Sequence, residues 1–296
     1  MMPPIEIFDL KNFDVVISSS AWFMSKGVIT QPSTTHICYC HTPPRYLYGY
    51  PESAGRRNFL AKVYGFFINP FLRCYDYLSS CRVDYFIANS NNVALRIKKF
   101  YKREAVVINT PTRDIKSKTG KLKSAGENYF LMVNRLVWPK RIDLAIKVCQ
   151  KLDLKLKIVG QGKAEKELKE LAKNSQNIQF LGYVQDSNLQ SLYAKCQAVL
   201  CLAQDEDFGI VPTEAMSWGK PVIALRSGGL QETVIDKKTG FFISQPDPEE
   251  LEKILTAVVN KKLTVNAQDC YQQAKKFSLA RFKQEIKEFV EKKKKS

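Results

Sequence analysis

The stretch "AVLCLAQDEDFGIVPTEAMSWGKPVIAL" (198–225) decides the fold. "AVLCLA" is a short apolar run of strand type, "PTEAMSWG" reads as a helix and "PVIAL" as a second strand. Two strands joined through a helix make a βαβ unit, which belongs to a parallel sheet. The loop "QDEDFG" then lies past the carboxyl end of a strand, where open α/β sheets bind ligands. Glu206 stands in that loop and Glu214 follows eight positions later. Pro212 suits the first helical position, where its missing N–H costs nothing. That places Phe208, Gly209 and Ile210 in the loop feeding the helix and Glu214 in the first helical turn. Backbone amides and the positive end of the helix dipole converge there, so the segment is a candidate anion site. Gly209 lets a ligand approach the backbone closely. The plainer readings are a helix-start acid for Glu214 and a solvated loop acid for Glu206. Val211 weakens the first of these, because it cannot complete a capping box.

The same alternation continues outward. "YFLMVNRL", "KLKIVG", "IQFLGYV" and "GFFI" read as strands, and "RIDLAIKVCQKL", "KAEKELKELAKN", "SNLQSLYAKC" and "LQETVID" as helices. Upstream, "DVVISSS", "THICYC", "VDYFIANS" and "EAVVINTP" read as strands and "NNVALRIKKFY" as a helix. "TRDIKSKTGKLKSAGEN" (112–128) is charged, polar and without periodicity, and reads as a linker. The expected architecture is therefore α/β, with two doubly wound Rossmann-like domains. Residues 1–115 form the first and 126–275 the second. A last helix at 278–296 is placed to cross back to the first domain. "DPEELEKILTAVV" and "SLARFKQEIKEFV" are the two helices expected near the end.

Composition narrows the function classes. The chain has 296 residues, 45% of them hydrophobic, with a formal net charge of +17. Residues 1–125 carry 18 Lys/Arg against 8 Asp/Glu. Such a surplus attracts phosphate-rich partners, although solvated surface lysines account for it equally well. No nucleic-acid module accompanies it, and a nucleic-acid partner is not expected. Eight cysteines without a C-x-x-C pair, and only two histidines, argue against a zinc site and for a reducing compartment. No signal-peptide core and no apolar run of spanning length are present, so the expected setting is cytoplasmic, with attachment to the inner face of a membrane open. Residues 56–81 read as a helix broken before Pro70. The helix mixes Arg56, Arg57, Lys62 and Arg73 with Phe59, Tyr64, Phe66, Phe67 and Phe71. It either faces the core or lies on an anionic membrane.

Two further segments carry chemistry. "NRLVWPKRID" follows a strand and opens a helix, with Arg135 and Lys140 across a turn containing Pro139. Two cations beside a helix N-terminus can hold a diphosphate without a metal. Standing alone, the segment reads equally as exposed basic surface. "HTPPRY" places His41 at the carboxyl end of a first-domain strand, where it can donate to a substrate hydroxyl; a packed structural histidine is the plainer reading.

Taken together, these segments resemble the retaining nucleotide-sugar glycosyltransferases of the GT-B fold. Glu206 and Glu214 stand in the E-x7-E spacing, and "RLVWPKRIDLAI", "FLGYV", "GKPVIALRSGGLQETV" and "TGFFI" occur in the family's order. "VISSS", "YCHTPPRYLYGY" and "VDYFIANSNNVALRIKKFY" are similar, more narrowly, to mannosyltransferase-like members that build bacterial surface polysaccharides. The resemblance implies transfer of a hexose, mannose from GDP-mannose, with retention and no bound metal or other cofactor, to a lipid-linked or polysaccharide acceptor. It implies that Arg135 and Lys140 bind the donor diphosphate, that Glu206 contacts the sugar hydroxyls and that Glu214 binds the ribose. Tyr183 and Val184 would flank the base, the amides of Phe208, Gly209 and Ile210 would lie near sugar and phosphate, and His41 would bond the sugar near the reacting centre. Members usually open with a strand, a glycine-rich loop and further βαβ units before the stretch matching "FDVVISSS". By that measure the first domain is expected to be incomplete by roughly half. A non-catalytic nucleotide-binding protein, or one half of a split enzyme with a separately encoded N-terminal half, is the alternative.

Overall fold

The computed structural model describes residues 8–22, 24–50, 59–112 and 128–294. Apart from its two ends, the linker stretch 112–128 lies outside them, as do Arg56 and Arg57. The chain forms two compact α/β units, one from residues up to 110 together with 280 onward, the other from 111–279.

The first unit holds β1 (Val15–Ser20), β2 (Thr35–Cys40), α1 (Phe59–Cys81), β3 (Tyr85–Ala88), α2 (Asn91–Tyr101) and β4 (Ala105–Val107). The strands lie in sequence order β1-β2-β3-β4 and all pair in parallel. Side-chain alternation along β2 and β3 divides the core in two. Cys38, Cys40, Phe86 and Ala88 point to one face, where Val93, Ile97 and Tyr101 of α2 cover them. Ser90 starts that helix by accepting a hydrogen bond from the Val93 amide. Ile37, Tyr39 and Ile87 point to the other face. The chain's last helix, Leu279–Lys293, covers it with Phe282, Ile286, Phe289 and Val290, spaced as one helical stripe. A sheet wound in one direction needs such a helix from elsewhere in the chain.

Helix α1 runs unbroken through Pro70, contrary to the break expected there. Proline removes an interior amide, but Pro70 is exposed, so the Phe66 carbonyl that loses its partner is on the side where water can reach it. The inner face is held by a buried pair that the sequence did not suggest. Lys26 Nζ donates to Asp76 Oδ1, with the two side chains 1% and 0% exposed. Tyr48 and Tyr101 hydroxyls donate to the same carboxylate at 2.6 and 3.2 Å. The ammonium also lies 5.0 Å from the Tyr101 ring centroid. These contacts satisfy an acid that would otherwise be too costly to bury.

The second unit holds β5 (Tyr129–Val133), α3 (Ile142–Lys151), β6 (Lys155–Val159), α4 (Glu165–Ala172), β7 (Ile178–Gly182), α5 (Asp186–Lys195), β8 (Ala198–Cys201), α6 (Ile210–Ser217), β9 (Val222–Leu225), α7 (Leu230–Thr233), β10 (Gly240–Ile243), α8 (Pro248–Val259) and α9 (Ala267–Lys275). Its six parallel strands are ordered β10-β9-β8-β5-β6-β7. The order reverses between β5 and β8, and a crevice opens outside the strand ends at such a switch point. Both sheet faces are covered, which is why β8 and β9 are buried at every position.

Three local expectations need correction. Helix α6 begins at Ile210, so Pro212 is its third residue and Glu214 its fifth, one step past the first turn. The first three helical amides have no intrahelical partner, so proline is tolerated at any of them. Helix α7 is only four residues long, because Val234 turns extended. Helix α9 was not anticipated. It is mostly polar, and its signal is Asn266, whose side chain caps the Gln268 amide.

Candidate functional site

The loops after β5 and β8 meet at the switch point of the second unit. The Gln204 amide donates to the Pro139 carbonyl at 2.9 Å, and Lys140 Nζ donates to Glu206 Oε2 at 2.5 Å. Lys140 closes a short helical turn, Trp138–Lys140, that leads into α3 through Arg141 in the left-handed conformation. The pair is half-open, with side chains 20% and 21% exposed. A cation and an acid are thus brought together at the mouth of the sheet by segments 66 residues apart in sequence.

Glycines hold these loops in place. A Cβ on Gly160 would sit 1.9 Å from the Asn134 carbonyl oxygen, and one on Gly162 2.3 Å from that of Leu136. The loop after β6 therefore lies directly on the loop that carries Arg135, with Leu136 N–H donating to Gln161 O at 3.0 Å. On the other side, the loop after β9 clasps the Glu206 loop. The Gly229 amide donates to the Glu206 carbonyl at 2.7 Å, and Ser227 Oγ accepts from the Asp205 amide at 2.9 Å. A Cβ on Gly228 would meet Glu206 O at 2.3 Å, and one on Gly229 would meet Phe208 Cα at 2.5 Å. These four glycines were not assigned a role from sequence. The recoverable signal was G-x-G after a strand and G-G before a helix.

Gly209, at φ +98°, is the N-cap of α6 and offers no side chain to close the helix start. Phe208 is buried, its ring edge-on to Phe277 at 5.4 Å, so it presents backbone rather than side chain. Ile210 is exposed as the first helical residue. Glu214 is buried and accepts a hydrogen bond from the Tyr193 hydroxyl at 2.8 Å. Burial first, and the Glu214 charge second, push the Tyr193 phenol far up, so it remains a donor. Arg135 is exposed on the β5 loop. Tyr183, 75% exposed, and Val184 follow β7.

His41 belongs to the first unit. Its amide donates to Ser20 O at 2.7 Å, and its Nε2 lies 2.9 Å from Ser19 Oγ, at the carboxyl ends of β1 and β2. The chain's other histidine, His36, is buried between Ser18 Oγ at 2.8 Å and the Arg82 carbonyl at 3.2 Å.

Residues 114–277, more than half of the chain, match the family described as Glycosyl transferases group 1. The chain belongs to this family. Among its relatives, a glycosyltransferase of Methanocaldococcus jannaschii, MJ1178, is 34% identical over 46% of this chain and 40% of its own length. The mouse alpha-1,3/1,6-mannosyltransferase ALG2 is 35% identical over 43% of this chain and 32% of its own. The chain thus spans less than half the length of these two relatives. The crystal structure of Anabaena HepE with UDP-glucose shares the fold, with a TM-score of 0.67 and 22% identity over 88% of this chain and 72% of that one. The two α/β units are accordingly those of the GT-B fold.

Proposed function

We propose that this chain binds a nucleotide-sugar in its second unit and transfers the hexose, with retention, to a lipid-linked or polysaccharide acceptor. The observation that carries the reading is the Lys140–Glu206 pair, set beside the start of α6 at the switch point of the sheet. An entering diphosphate competes with Glu206 for Lys140. It gains the lysine, Arg135 and the first amides of α6, and releases the Glu206 carboxylate to accept from sugar hydroxyls. Glu214, oriented by Tyr193, accepts from the ribose. Tyr183 and Val184 flank the base. As the sugar–phosphate bond breaks, the cations and the helix dipole absorb the negative charge on the leaving diphosphate, so no metal is required.

The donor is read as GDP-mannose. The resemblance to mannosyltransferase-like sequences and the relative ALG2 support that choice, whereas HepE was solved with UDP-glucose. Calorimetric titration with GDP, UDP and ADP tests the reading. Uptake of GDP in preference to the others is the expected result, and failure to take up any of the three would refute it. Transfer of labelled mannose from GDP-mannose to a lipid extract by the purified chain then tests turnover.

A further inference from the structure

Among the described side chains of helix α1, the fully buried positions are Gly65, Asp76, Ser79 and Ser80, beside half-buried Ile68, Leu72 and Tyr75, whereas the solvent face carries Val63, Phe66, Phe67, Phe71 and Leu78. Phe66, Phe67 and Phe71 are 77%, 64% and 74% exposed, and the first two rings touch edge to face at 5.4 Å. At one residue per 100°, the five apolar side chains form a stripe about 140° wide along the outer side. A continuous exposed apolar surface of this kind marks an interaction site. Asp76, the helix's only acid, points inward to Lys26, so the exposed side chains of α1 include no negative charge. Exposed Arg73 borders the stripe.

We propose that the outer face of α1 seats the protein on an anionic lipid bilayer, lying in the plane of the interface. The charge of the chain selects this occupant over a second copy. A net charge of +17, with an excess of cations in residues 1–125, opposes the approach of two like faces and favours a negative surface. Exposed phenylalanines with a bordering cation suit the headgroup boundary. The helix cannot instead be a span: no described helix is long and apolar enough to cross a membrane, and the inner face of α1 is fixed by the Lys26–Asp76 pair. The inference does not depend on the identity of the donor, since nucleotide titration reports on the second unit and lipid binding on α1.

Co-sedimentation with vesicles tests it, using phosphatidylcholine alone and phosphatidylcholine mixed with phosphatidylglycerol. The expected result is binding to the mixed vesicles. The triple variant Phe66→Ser, Phe67→Ser, Phe71→Ser should bind them about tenfold or more weakly, with an unchanged circular dichroism spectrum and nucleotide affinity. A second readout covers failure of that variant to fold. Cys74 and Cys81 are the exposed cysteines, the other six being buried. An environment-sensitive fluorophore on Cys74 in the Cys81→Ser background should shift to shorter wavelength when the mixed vesicles are added. Three outcomes overturn the proposal: no vesicle binding at low salt, an unshifted label, or wild-type binding by the folded triple variant. Dimerisation through this face that persists with excess vesicles would also overturn it, assigning the surface to a second copy.

Discussion

The Lys26–Asp76 pair of the first unit and the Lys140–Glu206 pair of the second use the same two functional groups in opposite settings. The first is closed to water and surrounded by tyrosines; the second is half-open at the ends of two strands. Burial makes removal of one partner costly, because the other is left charged in a low dielectric. Partial exposure makes the same exchange cheap, because water or a ligand can take the partner's place. One pair therefore fixes where a helix lies, and the other can change partners. Position in the sheet adds the rest: only the second pair stands at a switch point beside a helix start.

The comparison is most easily broken at Lys26. Lys26→Met should destabilise the chain by about 3–5 kcal/mol in urea unfolding, since Asp76 keeps only its two tyrosine donors. Adding Asp76→Leu should recover part of that loss. A single-variant loss under about 1 kcal/mol would show that the buried pair does not hold α1.

The next effect comes from the clasp around Glu206. In Gly229→Ala the new methyl meets backbone at Phe208 Cα and Asp207 O, neither of which can swing aside. The expected cost is about 1–3 kcal/mol of stability, with weakened nucleotide binding because the Glu206 loop is displaced. Unchanged affinity in a stable Gly229→Ala protein would mean that the clasp does not position the site.

Lys140→Ala separates binding from stability. The half-open pair should contribute under about 1 kcal/mol to folding. Loss of the lysine should nevertheless weaken nucleoside diphosphate binding, and slow transfer, by about tenfold or more, equivalent to about 1.4 kcal/mol. Wild-type nucleotide affinity would count against the role given to Lys140.

What could be read from sequence follows the same division. The second unit was legible because strand and helix periods alternate strictly, and because "DEDFG" and "WPK" each follow a strand. Loops after parallel strands gather at one end of the sheet, so chain order alone brings Lys140 toward Glu206. Lys26 and Asp76 were not legible, because 50 residues separate them and neither carries a local pattern that marks it for burial. The α6 start was misplaced by two residues because proline fits every position of a helix's first three. The glycine clasp was visible as letters, but its reason, backbone against backbone, appears only when loops from β8 and β9 are set side by side. Helix α1 defeated pattern reading for a different cause: large apolar residues lie on its exposed side, and a mixture of basic and aromatic residues could not say whether the helix faced the core or a membrane.

The weakest form of the contrast lies between the two histidines. His41 reaches Ser19 at the ends of β1 and β2, whereas His36 is enclosed between Ser18 and Arg82. Burial holds the His36 imidazole below its ordinary value of 6.5, against smaller opposing contributions from the Arg82 carbonyl and Asp84. A base with a lowered folded-state value binds its proton more readily when unfolded. Its contribution to stability is therefore complete above pH 6.5 and is lost as pH falls from there toward the lowered value. Thermal unfolding followed from about pH 7.5 down to about 5.5 should show the midpoint falling through this window. His36→Gln, which has no ring to protonate, should flatten that slope while lowering the midpoint at neutral pH through poorer packing. An unaltered slope in His36→Gln would assign the acid sensitivity to another group and leave His36 as packing alone.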